Sequence, residues 1–305
     1  MNIVVSGSAS FVGNHIIREL IKRDSKINIY AMVRPNSKHN EILLDLKDKI
    51  NVVEIDMANI ESLKDYVSSI DAFYMVSWRG TRGNDRADEN MQLQNYLDSV
   101  KACKVAIELG AKSIIGVGSQ AEYGITYDNV SEDYNAKPIT PYGVYKLRTF
   151  NECSDLCAKN KVAFKWGRIF SAYGVGDYEN TLVMYCIHQM RNNLEVISSP
   201  CTQMWNYINI KDVANLFVEL LTETIPSGAY NFSSFDTRVL KSYVYEIRSI
   251  LNSSSIIKFG ATQNNIKLMN LLPINSKLIQ YLPEYNFIPF SDGIREIIRD
   301  MEKQK

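Results

Sequence analysis

Short apolar runs alternate with helical stretches along the first 170 residues, and this alternation constrains the fold more than any other feature. Ile3–Ser6, Ile27–Val33, Val52–Ile55, Ala72–Ser77, Ser113–Val117 and Ala163–Arg168 read as strands. Their near-continuous apolar character fits strands covered on both faces. Between them, Phe11–Lys22, Ile60–Ser68, Glu89–Leu109 and Tyr142–Lys159 read as helices. Strict alternation of this kind predicts an α/β fold with a doubly wound parallel sheet and right-handed crossovers.

After Arg168 the pattern loosens into a Gly/Tyr-rich loop at Ser171–Tyr178, further helices, and an extended Leu271–Phe290 stretch with three prolines. The expected division is a domain over 1–170, with a return near 204–235. A smaller substrate-binding lobe over 171–203 and 236–305 would pack across the carboxyl edge of the sheet. With 305 residues, 46% of them hydrophobic, the chain can bury a core of that size.

The formal net charge is zero, so no bulk field draws nucleic acid or an anionic membrane. No apolar run approaches the roughly 20 residues of a membrane span. The chain enters a strand at its start, which leaves no room for a signal peptide and predicts a cytoplasmic protein. Five cysteines without framework spacing fit reduced thiols. Cys153 and Cys157 are four apart on a predicted helix, but no second Cys or His pair stands nearby to complete a metal site. The three histidines are scattered, and no metal is expected.

The turn Gly7-Ser8-Ala9-Ser10-Phe11-Val12-Gly13 joins the first strand to the first helix. Gly7 permits a tight turn and Gly13 a close helix-to-strand approach. The helix start offers N–H groups and a positive dipole end to a pyrophosphate. This is a Rossmann-type cofactor end, with Ser10, Phe11 and Val12 on the turn. An NAD site places a carboxylate at the end of the second strand. Tyr30–Lys38 holds no acid there, whereas Arg34 can clamp a 2′-phosphate with Ser37 and Lys38 in support. NADP(H) is therefore favoured, with NAD(H) as the alternative. A solvated loop arginine is the other reading of Arg34. Asp56 and Met57 either hold the adenine or begin the next helix.

Tyr142 and Lys146 lie four apart, one turn along the same helix face. An ammonium so placed can lower the phenol pKa, and the phenol can then exchange a proton with a carbonyl or carbinol oxygen. Ser119 stands upstream, in Gly118-Ser119-Gln120-Ala121-Glu122-Tyr123-Gly124 at the end of the fifth strand. The ordered set also includes Asp56, Asn95 in the long helix, Arg168–Gly174, Trp205–Asp212 and Tyr230-Asn231. With it the chain resembles the extended short-chain dehydrogenase/reductase family, which comprises nucleotide-sugar epimerases, dehydratases and reductases. The resemblance covers nearly the whole chain.

That resemblance implies that Tyr142 is the acid/base and that Ser119 binds the substrate oxygen. Lys146 would lower the pKa of Tyr142 and bind the nicotinamide ribose. Asn95 would support the lysine through a water, or be a polar residue on a dimer-forming helix. Val76, Ser77 and Ile169 would add cofactor contacts. Trp78, Thr81, Gln120, Ser171 and Trp205 would meet the sugar nucleotide, although a core role for Trp205 stays open. Dehydratases of the family carry an Asp-Glu pair after the hydroxyl residue, and Gln120-Ala121 cannot replace it. The stretches Gly118–Gly124, Ser77–Gly83 and Gln203–Tyr207 look similar to bacterial 4-ketoreductases of nucleotide-linked deoxysugars, such as abequose and paratose synthases. A 4-epimerase with tightly held NAD is the alternative. A non-catalytic NADP(H) sensor is a reading from another class, favoured by Ser10 in place of a glycine but opposed by the intact Ser/Tyr/Lys set. A homodimer through a four-helix interface is expected from the two long helices.

Overall fold

The computed structural model describes residues 1–261 and 269–303. The strands are β1 (Asn2–Val5), β2 (Asn28–Val33), β3 (Asn51–Glu54), β4 (Ala72–Met75), β5 (Ser113–Ser119), β6 (Ala163–Ile169), β7 (Ser171–Tyr173), β8 (Val196–Ser198), β9 (Met204–Asn209), β10 (Gly228–Phe232), β11 (Thr237–Val239) and β12 (Ile257–Phe259). The α-helices are α1 (Phe11–Arg23), α2 (Glu89–Glu108), α3 (Pro141–Lys159), α4 (Leu182–Arg191), α5 (Ile210–Glu219), α6 (Leu240–Ile250), α7 (Ser276–Ile279) and α8 (Phe290–Lys303).

Seven strands form one parallel sheet in the order β10-β6-β5-β4-β1-β2-β3. Successive side chains point to opposite faces, and both faces are buried. Ile3 and Val5 of β1 pack with Ile16, Leu20, Val213 and Phe217 from α1 and α5. Val4 packs on the other face with Cys103, Ala106, Cys153 and Cys157 from α2 and α3. Burying a side chain of this size contributes roughly 1.5–3 kcal/mol. The cysteines are thus core thiols, as their reading anticipates.

The chain order reverses at β1, between β2 and β4, and such a reversal opens a crevice at the carboxyl ends of the strands. After β6 the chain leaves the large sheet and returns through α5 and β10. Met204–Asn209 itself belongs to a three-stranded sheet, β11-β9-β7. That sheet, the β12-β8 pair, α4, α6 and α8 surround a separate apolar cluster including Tyr173, Tyr207, Tyr243 and Phe290.

Three local expectations need correction. Ile60–Ser68 is not an α-helix; 3₁₀ turns run over Met57–Asp65, with Asn59 at φ −109°, ψ 28°. Ile60 and Leu63 are its buried residues, and a spacing of three suits the 3₁₀ repeat. A second 3₁₀ stretch, Lys38–Leu46, buries Leu43 and Leu46 in the same way. The Leu271–Phe290 stretch contains α7, which carries Leu278 into the main core. β4 ends at Met75, earlier than its apolar run, because the Ser6 hydroxyl accepts the Val76 and Ser77 amides at 3.0 and 3.2 Å.

Candidate active site

A cavity of about 1720 Å³ opens at the carboxyl ends of the sheet and continues under the lobe. Its cofactor half begins at the β1–α1 turn. Ser10 caps α1, its hydroxyl accepting the Gly13 amide at 3.1 Å. Gly7 has φ +65°, and a β-carbon there would lie 2.8 Å from the Ser77 Cα. A β-carbon on Gly13 would run into the Gly7 carbonyl oxygen. The two glycines thus let the turn press close to β4 and leave the space above it open. Gly7, Ser10, Phe11, Val12, Arg34, Asp56, Met57, Val76, Ser77 and Ile169 all line the cavity. Gly13 does not; its place is in the packing beneath. Arg34 is exposed at the rim. Asp56 both lines the space and caps the following 3₁₀ turn, accepting the Ala58 amide at 3.1 Å. These residues fit a nicotinamide dinucleotide.

The second half contains the expected chemistry. Tyr142, Lys146, Ser119, Gln120, Asn95, Trp78, Thr81, Ser171 and Trp205 line the same cavity. Thr140 caps α3 and Pro141 begins it, so Tyr142 and Lys146 fall in its first turns. Lys146 is 3% exposed. Its Nζ donates to the Val117 carbonyl at 2.7 Å and lies 3.9 Å from the Trp78 ring centre. The Tyr142 ring centre is farther off, at 6.0 Å. Burial pushes the Lys146 ammonium down to about 7, against the upward pull of Glu122.

Burial also raises the Tyr142 phenol, while the Ser119 hydroxyl and the Arg86 guanidinium pull it back. Arg86 stands 4.6 Å over the Tyr142 ring. The sequence reading gives the tuning charge to Lys146; in this structure Arg86 is the cation nearer to the ring.

Ser119 is held from behind. The Glu122 carboxylate accepts the Ser119 amide at 2.8 Å and the Trp166 indole at 2.9 Å, and it pairs with Arg168 at 2.7 Å. Arg168 donates to the Tyr123 hydroxyl at 2.9 Å, and Tyr123 donates to Asn231 at 2.6 Å. Gln120–Glu122 forms a 3₁₀ turn capped by Ser119, and the buried Glu122 carboxylate folds back into the core from it. Gln120 lines the cavity in its place.

Asn95 lines the cavity and is tied to the loop after β4. Its amide donates to the Arg79 carbonyl at 2.8 Å and accepts the Arg79 amide at 3.1 Å. Trp205 combines its two readings, since it lines the cavity and packs against Tyr207. Sequence reasoning missed Arg82, Arg86 and Asp177. Arg82 pairs with the buried Asp177 at 3.0 Å and lies 4.3 Å over the Tyr178 ring, joining the loops after β4 and β7. In sequence these residues look like ordinary solvated loop charges.

The chain matches the profile of the NAD dependent epimerase/dehydratase family over residues 3–233. It belongs to that family. Among curated members, CDP-abequose synthase of Salmonella typhimurium is 24% identical over 308 residues, 97% of each chain. The dTDP-6-deoxy-L-talose 4-dehydrogenase (NAD(+)) of Aggregatibacter actinomycetemcomitans is 21% identical, covering 81% of this chain and 89% of the other. Among solved structures, the UDP-glucose 4-epimerase of Thermotoga maritima superposes with a TM-score of 0.88 at 16% identity, covering 100% and 99% of the two chains. The UDP-glucuronic acid 4-epimerase of Bacillus cereus gives 0.84 at 20%, with the same coverage. As a member of the NAD dependent epimerase/dehydratase family the chain is an enzyme with a nicotinamide dinucleotide cofactor. No helix among the described residues is long and apolar enough to cross a membrane.

The state of Lys146 makes a stability prediction. With its folded value near 7, the folded protein binds fewer protons than the unfolded chain between about pH 7 and 10. Stability from this group therefore rises with pH across that window and is lost as pH falls through about 7. Lys146→Met removes the slope. In denaturant unfolding without cofactor, the variant should gain on the wild type most at about pH 7 and least at about pH 9. A pH-independent difference contradicts this.

Proposed function

We propose that this chain is an NADPH-dependent reductase of a nucleotide-linked sugar, acting on the 4-keto group of a 6-deoxyhexose. The observation that carries the reading is the shared cavity wall of Tyr142 and Ser119, beside Gln120 rather than an acid. Without a second acid/base, elimination of water has no catalyst, while protonation of a carbonyl oxygen needs only Tyr142 and a positioning hydroxyl. The similarity to CDP-abequose synthase over 97% of both chains supports the same class.

When bound, the nicotinamide supplies the hydride. Tyr142 delivers the proton to the sugar oxygen, and Ser119 orients that oxygen. Lys146 binds the cofactor's ribose, and its charge steadies the developing alkoxide. Trp78 and Thr81 on one side, and Ser171 and Trp205 on the other, would bound the sugar nucleotide. NADPH oxidation with a 4-keto-6-deoxyhexose nucleotide tests the reading. Epimerisation without net cofactor use, together with NAD that copurifies, would instead support a 4-epimerase.

Arg34 carries the cofactor preference, because no strand-end acid opposes a 2′-phosphate. Charge-assisted hydrogen bonds of about 1.5–3 kcal/mol correspond to roughly 10–100-fold in affinity. Arg34→Ala should weaken NADPH by that factor and leave NADH within about threefold, as read by fluorescence titration. Equal losses for both cofactors would remove the preference. A homodimer through α2 and α3 belongs to the same reading. Leu97, half-exposed on α2, is available for such a contact. Leu97→Glu should then shift the protein to a monomer in light scattering.

A further inference from the structure

Arg86 lays its guanidinium over the Tyr142 ring, closer to the ring centre than the Lys146 ammonium. It lies in the 3₁₀ turn Gly83–Ala87 between β4 and α2. Its guanidinium carbon is 4.6 Å from the Tyr142 ring centre. Its Nε is buried with no hydrogen-bond partner among the described residues. A buried donor of this kind is costly unless something else recovers the loss, and a π face recovers only part of it.

The turn that carries Arg86 is fixed from below by α2. Gln92 is fully buried and donates to the Gly80 and Asp85 carbonyls, both at 2.9 Å. It also accepts the Trp78 indole at 2.7 Å. Asn95 holds Arg79 at both backbone groups. Two buried amides thus set the path of the loop from Trp78 to Arg86. From the opposite side, Arg82 is committed to Asp177. Of the two arginines, Arg86, over Tyr142, has no acidic ion-pair partner among the described residues.

We infer that Arg86 is a positioning residue for the reaction, holding the Tyr142 ring in place and stabilising its phenolate. The charged and titratable groups around Tyr142 are few. Ser119 acts on it from the end of β5 with Glu122 behind, Arg82 and Arg86 from the loop after β4, and Lys146 lies on its own helix. Glu122 raises the phenol and is tied to Arg168. Lys146 is drawn toward Val117 and Trp78. Of the cations around Tyr142, Arg86 is the one stacked on the ring, and it lowers the phenol more than Arg82 does.

The inference rests on Tyr142 as the acid of the proposed reduction, but its test needs no sugar. In protein saturated with NADP⁺, the ultraviolet phenolate band of wild type minus Tyr142→Phe reads that one ring. Arg86→Met should move its midpoint up by about one pH unit or more, and Arg86→Lys should stay within about half a unit of wild type. Equal midpoints in wild type and Arg86→Met overturn the inference, whichever sugar the enzyme accepts. Failure of the reductase reading would appear elsewhere, as absent NADPH consumption by the wild type. Where the alcohol is oxidised, the phenolate must take the proton, so the acid limb of kcat should follow the midpoint upward. A lower kcat with an unmoved limb would make Arg86 a packing residue only.

Discussion

Replacing Tyr142 by Phe is expected to reduce turnover about a thousandfold, within the 10²–10⁴ range of a lost general acid. The ring is buried, 7% exposed, and its contacts with Trp78 and Arg86 involve its face and edge rather than the hydroxyl. Phe therefore preserves the packing while removing the proton. Cofactor affinity should change by less than about threefold, and the thermal midpoint should stay close to wild type. That separation distinguishes a lost proton donor from a damaged fold. Turnover within tenfold of wild type would contradict the assignment of Tyr142 as the acid.

The second large effect belongs to Gly7→Val. Two penalties coincide there. The backbone sits at φ +65°, which a β-branched residue adopts only at a cost, and the new β-carbon would lie 2.8 Å from the Ser77 Cα. Relief requires the β1–α1 turn and the Val76-Ser77 segment after β4 to separate, and both line the cofactor half of the cavity. Cofactor affinity should fall at least a hundredfold, as measured by isothermal titration. Gly110→Ala is the control, with φ +85° but nothing within 4 Å of the added carbon. It should cost stability of about 1–2 kcal/mol from backbone strain alone and leave cofactor affinity unchanged. Unaltered affinity in Gly7→Val would mean that the turn does not carry the cofactor.

The main sheet was legible because its inner strands, such as β4, β5 and β6, are buried on both faces and are near-continuous apolar runs. The long helices were legible as the stretches between those runs, although α3 starts at Pro141, capped by Thr140, one residue before the expected Tyr142. The 3₁₀ stretches were not. Leu43 and Leu46, like Ile60 and Leu63, bury residues three apart over too few turns to separate from an α-helix or a loop. Of the candidate site, the residues at strand ends and on α3 could be placed from order alone. Arg86 could not, because its position depends on Gln92 and Asn95 reaching back from α2 to hold the loop. Nothing in Thr81-Arg82-Gly83-Asn84-Asp85-Arg86 distinguishes it from a solvated polar turn. Likewise, helical spacing puts Lys146 near Tyr142, but only the fold shows that Trp78 and the Val117 carbonyl take up its charge.

In a reductase, the hydride leaves the cofactor and remains in the sugar. Isotope transfer measures this directly. The protein is incubated with NADPH deuterated on the transferred face of C4 and a 4-keto-6-deoxyhexose nucleotide, and the sugar nucleotide is weighed by mass spectrometry. The expected product carries the deuterium at the reduced carbon, forms in step with NADPH loss and is absent with Tyr142→Phe. A sugar nucleotide turned over without deuterium, while the cofactor remains unspent, would contradict it.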